Sequence, residues 1–113
     1  MLIKKEEAKK VTNSDNCTVW EYNGKTDKFN TATAYINGRF PDEKRVVNLE
    51  LEETYYVLSG SATIYSEKGT FEIKAGDVYI FAKGEKFYLE ANELRLVVFC
   101  VPAFDPKQHI IVE

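Results

Sequence analysis

The sequence predicts an all-β sandwich or barrel, and three observations carry that expectation. Short runs rich in β-branched and aromatic residues alternate apolar and polar positions; turn residues separate them at regular spacing; and no stretch sustains a helical period of useful length. About nine short strands follow from the pattern. At 113 residues the chain makes one domain, long enough to bury a core unaided and free of repeats, linkers and low-complexity tracts.

Residues 1–12 open with MLIKKEEAKK and read as a solvated lead-in or one short helix. The apolar stretch there is too short for a secretory signal, and no small-residue cleavage site follows it. CTVWEY (Cys17 to Tyr22) and FNTATAYI (Phe29 to Ile36) are the first strands, separated by the turn signal NGKTDK. NGRFPDEK (Asn37 to Lys44) reads as a loop, because Pro41 bars a central strand. RVVNLEL, TYYVLSG and SATIYS follow as separate strands. The turns EKG, AGD, KGE and NE then lead into TFEIKA, VYIFA, KFYLEA and LRLVVFCV. Pro102 and Pro106 end the sheet, and in the tail, residues 103–113, QHIIVE either adds an edge strand or packs across the barrel mouth.

Composition narrows the partners. A net charge of -3 without a basic stripe argues against nucleic acid. The apolar runs fall far short of the roughly 18 residues that span a bilayer. Cys17 and Cys100 sit inside apolar runs in a chain without an export signal, so buried free thiols and a cytoplasmic location are expected. The single histidine, His109, lies beyond two prolines and reads as a surface or tail residue bonded to backbone.

The runs EETYYVLSGSATI and IKAGDVYIFAKGEKFYLEAN together resemble the two sequence motifs of the cupin superfamily, over about Arg39 to Asn92. That resemblance implies a double-stranded β-helix, the jelly-roll cupin barrel. In the first motif Glu53 falls on the family's glutamate, while Asn48 and Val46 fall on its two histidines. In the second, Gly76, Asp77 and Gly84 match, Ala82 replaces the turn proline, and Phe87 stands where the last histidine belongs. Three imidazoles and a carboxylate normally hold the cupin metal, and one carboxylate with one amide oxygen is a poor substitute. No metal and no other cofactor is therefore expected.

Strand parity puts Tyr55 on the side of Glu53, and Glu50 on the side of Asn48, so Asn48, Glu50 and Glu53 are expected to form one hydrogen-bonding wall. Phe87 is expected at the old metal position with Tyr88 beside it, and Lys83 and Lys86 at the barrel mouth, where they would meet an acidic group. Arg39 or Arg45 is placed to pair with Glu50 or Glu53. Three functions remain open: metal-independent binding of a small polar metabolite such as a sugar, a sugar phosphate or a small acid; an isomerase, epimerase or lyase with Glu53 as acid or base and Tyr55 as its proton partner; and an inert assembly barrel. A homodimer is expected under all three, because LRLVVFCV is apolar on both faces.

Overall fold

Alternation of inward and outward side chains sets where the chain pairs. In the computed structural model, which describes residues 1–113, nine strands form: β1 (Lys9–Ser14), β2 (Cys17–Tyr22), β3 (Asn30–Phe40), β4 (Arg45–Asn48), β5 (Glu52–Ser66), β6 (Gly69–Lys74), β7 (Val78–Phe81), β8 (Lys86–Val101) and β9 (His109–Val112). They are antiparallel neighbours in one curled sheet, in the order β1-β2-β3-β8-β4-β9, and β5 pairs with β6, β7 and β8. No helix is long and apolar enough to cross a membrane.

Two long strands, β5 and β8, close the barrel because they bend. Their register shifts between Val57 and Ser61, opposite the left-handed Glu93 at φ 46°. Gly60 is required at that bend: its φ is 76°, and a Cβ there would lie 2.1 Å from the Glu93 carbonyl oxygen. The segments TYYVLSG and SATIYS are thus one strand bent at its glycine, and KFYLEA and LRLVVFCV are likewise joined in β8.

Two further expectations are corrected, and a third is decided between its alternatives. The lead-in is largely exposed and makes one short 3-10 turn at Lys5–Glu7, as expected, but from Lys9 it becomes a strand: residues 9–14 pair along the open edge of β2, gaining ladder hydrogen bonds that so short a helix cannot match. The presumed loop from Asn37 continues β3 to Phe40, so Pro41 stands just past the strand end. The tail takes the expected edge-strand alternative: β9 pairs along β4, running Arg45↔Val112 to Asn48↔His109.

The core fills the barrel from one end. Val46, Ile64, Phe87, Leu89, Leu94 and Leu96 are fully buried. Phe87 stacks on Phe81 with ring centroids 4.0 Å apart.

Candidate active site at the open end of the barrel

The other end is not filled, and the sheet register shows why. Two neighbouring inward rungs read Asn30–Cys100–Glu53–Phe81 and Glu21–Ala32–Val98–Tyr55–Tyr79, and the next contains Val19, Ala34, Leu96 and Val57. Ala32 and Ala34 stand where larger side chains would meet across the barrel. A cavity of about 80 Å³ opens above them, several times the space that one water needs. Glu53, Tyr55, Asn30, Cys17, Cys100 and His109 line it, with Phe40 and Phe104 as apolar walls.

Among the ligand-site candidates singled out in the sequence, Asn48, Glu53 and Tyr55 converge here, and Glu50, Phe87, Tyr88 and Lys83 do not. Glu50 lies just past the end of β4, where strand parity no longer applies, and its side chain is exposed. Phe87 is in the sealed core and does not line the cavity. Tyr88 faces outward between Tyr65, stacked at 4.7 Å, and the Arg39 guanidinium, 4.3 Å from its ring. Lys83 is exposed on the turn before β8, away from the cavity, and Lys86 is exposed likewise. Arg39 donates to the carbonyls of Pro41 and Lys44, and Arg45 to the main-chain oxygen of Glu113, so neither meets Glu50 or Glu53.

His109 is the main correction. It is no surface residue: β9 carries it into the cavity, where it stacks near Phe40 and meets Phe104 edge-on. Its protonation pattern follows from one backbone donor. The Glu50 N–H can only donate, so it fixes Gln108 Oε1 as its acceptor at 3.2 Å and leaves Gln108 Nε2 to donate to Asn48 Oδ1 at 3.1 Å. Asn48 Oδ1 therefore accepts again from His109 Nδ1–H at 2.9 Å. His109 Nε2 is left with a bare lone pair, free of any protein partner, and burial keeps the ring neutral by lowering its pKa.

Asn48 Nδ2 then turns to Glu53 Oε1 at 3.5 Å, and the Cys100 thiol to Oε2 at 3.7 Å. Both bonds are long. Burial outweighs them and pushes the Glu53 pKa up to about 7, so the carboxyl exchanges its proton near neutrality. Burial, then the nearby Glu53, raises the Tyr55 hydroxyl well above its ordinary value. That hydroxyl has no protein acceptor and opens to the cavity. Cys17 is pushed up to about 12 by burial, and Cys100 is also raised, so neither thiol is a nucleophile at neutral pH.

The family's metal position does not fit a metal in this chain. Val46 and Phe87 fill it with hydrocarbon, and no three His, Cys, Asp or Glu side chains converge to hold an ion.

Comparison with known proteins agrees with this architecture. The EutQ-like cupin domain matches residues 38–96. The chain is similar in structure to Pac13, a nucleoside dehydratase from Streptomyces, with 17% identity, 100% of this chain and 91% of that one covered, and a TM-score of 0.88. It is also similar to ectoine synthase from P. lautus (19% identity, 100% and 91% covered, TM-score 0.76). The polyketide cyclase RemF from Streptomyces resistomycificus is a third likeness (18% identity, 89% and 78% covered, TM-score 0.71). At such identities the likeness carries the fold alone. No curated protein sequence matches.

Proposed function

The chain belongs to the EutQ-like cupin domains, and from that premise we propose that it is a metal-independent enzyme of the lyase or isomerase type, binding a small polar molecule and moving a proton on it. One observation carries the reading: three proton-exchanging groups, the Glu53 carboxyl, the His109 lone pair and the Tyr55 hydroxyl, meet in one cavity. Removing a proton beside a carbonyl, or eliminating water, needs a base and an acid of nearly matched pKa. His109 supplies the base, and Glu53, half protonated near pH 7, serves in either role. Pac13, a dehydratase solved with uridine, and RemF, a cyclase, support chemistry of this kind in such a barrel. An inert barrel would not leave unpaired polar groups facing a cavity.

Ligand-observed NMR against nucleosides, uridine first, then neutral sugars and hydroxy-carbonyl compounds tests this reading. The native protein and Glu53→Gln are expected to bind a common compound, and only the native protein to transfer solvent deuterium into it. Ala34→Leu, which fills the cavity without touching the polar groups, is expected to fold and bind nothing. Absence of binding to native protein at millimolar concentrations would sink the proposal.

A second copy of the chain is the partner proposed for the outer face. Two successive outward rungs, Tyr22–Thr31–Phe99–Thr54–Ile80 and Trp20–Thr33–Val97–Tyr56–Val78, cross five strands without one charge. Ile80 is 61% and Val78 54% exposed, and an identical uncharged face covers them without repulsion. Sedimentation is expected to show a dimer at tens of micromolar, and Ile80→Lys a monomer.

A further inference from the structure

The charge of the inner wall decides what it admits. Its titratable side chains are the acids Glu53 and Glu21, the neutral His109, Tyr55 and two protonated thiols; none is Lys or Arg. An anion entering this cavity would shed its water against a buried carboxyl with no counter-charge in reach. The free polar groups suit a neutral guest instead. Phe104 N–H donates to Asn30 Oδ1 at 2.8 Å, which fixes that amide and leaves Asn30 Nδ2 as an unpaired donor facing the cavity. His109 Nε2 accepts, and the Tyr55 hydroxyl does either.

Size adds a second constraint. The inner cavity, at about 80 Å³, is well below the roughly 300 Å³ at which small-molecule sites begin. A second chamber of about 280 Å³ adjoins it, sharing Glu21, Asn30 and Phe104 and lined further by Lys9, Asn23 and Thr26. Lys9 is the register partner of Glu21, so this outer chamber carries one charge of each sign.

Resting on the acid–base reading above, we infer that the site is bipartite: the inner cavity takes only the uncharged hydroxyl-, carbonyl- or amide-bearing end of a substrate, the outer chamber holds the remainder, and Asn30 on the shared wall selects an acceptor on the entering group. The substrate class is thus a neutral-ended polar molecule larger than the cavity that transforms it. Phosphate- or carboxylate-terminated ends are excluded from the reacting position.

Because His109 is the only histidine, its ring signals report occupancy of the inner cavity without ambiguity. Acetamide and acetate are probes of nearly equal shape that differ in charge, titrated at pH 7.5 and matched ionic strength into tag-free protein. Acetamide is expected to move the His109 signals saturably, and acetate about tenfold more weakly or not at all. The gap is expected to narrow in Glu53→Gln. Asn30→Asp keeps an acceptor for Phe104 N–H but removes the donor and adds a second acid to the wall, so it is expected to remain folded with a lowered melting temperature while its acetamide response falls about tenfold. Acetate binding as well as acetamide would overturn charge exclusion and leave the acid–base reading standing. An unchanged acetamide response in Asn30→Asp would overturn the role given to Asn30. If neither probe moves His109 and no neutral compound binds the native protein, the acid–base reading falls and this inference falls with it.

Discussion

Glu53 and Glu85 are both buried in one barrel, at 8% and 2% exposure, and their surroundings are opposite. Burial pushes the pKa of each upward. Around Glu85 that push is overcome: Ser66 Oγ donates at 2.6 Å, Tyr79 Oη at 2.5 Å and Ala82 N–H at 2.9 Å, with Lys68 Nζ at 3.7 Å, and the carboxyl sits below its ordinary value. Around Glu53 one distant amide and one thiol are all there is, and its pKa climbs to about 7. Donor count, not depth, separates the two. A carboxylate met from every side is a clamp that holds the β7–β8 turn against β5. A carboxyl left short of donors keeps a proton to exchange.

The largest expected effect comes from breaking the clamp. Glu85→Ala strands three donors at once and is expected to cost about 3–5 kcal/mol, read as a fall in the urea midpoint at unchanged slope. A loss under about 1 kcal/mol would mean that water replaces the carboxylate and the contrast is empty. Because its folded pKa is lowered, the stability Glu85 contributes is present above about pH 4.5 and lost as the pH falls through the folded value.

Glu53 has the opposite sign. Its folded pKa is raised, so between about 4.5 and 7 the folded protein holds a proton that the unfolded chain has released, and stability falls as pH rises through that window. The shift corresponds to about 3 kcal/mol at pH 8. Glu53→Gln is therefore expected to be more stable than the native protein by up to that amount at pH 8 and nearly equal to it at pH 4, measured by denaturation at both. A pH-independent difference would show that Glu53 does not titrate in this window, and the reactive half of the contrast would fail.

The sequence made one side of this contrast legible. Parity from the Glu53 position put Tyr55 inward beside it, and the cupin-like spacing singled out Asn48, because both signals are local to one strand or one motif. Glu85 was hidden in AKGEKF, where a charged turn residue looks solvated until Ser66 and Tyr79 are brought over it. His109 and Gln108 reach Asn48 across about sixty residues through a β4–β9 pairing that no local pattern announces. Asn30 is fixed by a backbone N–H 74 positions away. The bends were misread as strand ends for the same reason: Gly60 looks like a turn, and only its approach to Glu93 shows a strand that continues.

The smallest expected change in stability carries the sharpest test of the open end. Gln108→Leu deletes one buried link, the donor to Asn48 and the acceptor for Glu50 N–H, at about 1–3 kcal/mol. Its main consequence is orientational. Without Gln108 Nε2, only the long 3.5 Å contact to Glu53 holds Asn48 with its oxygen toward His109; the amide can turn its nitrogen there, and the ring proton then belongs on Nε2. Nitrogen-15 shifts of the single histidine are expected to show Nδ1 protonated and Nε2 bare in native protein, and a mixture in Gln108→Leu. Glu85→Ala, although more destabilising, is expected to leave the tautomer untouched while it remains folded. If both variants shift the tautomer alike, the two ends of the barrel are coupled through general loosening and Gln108 has no positioning role. If only Gln108→Leu does, the proton on His109 is set by a relay that begins at one backbone amide.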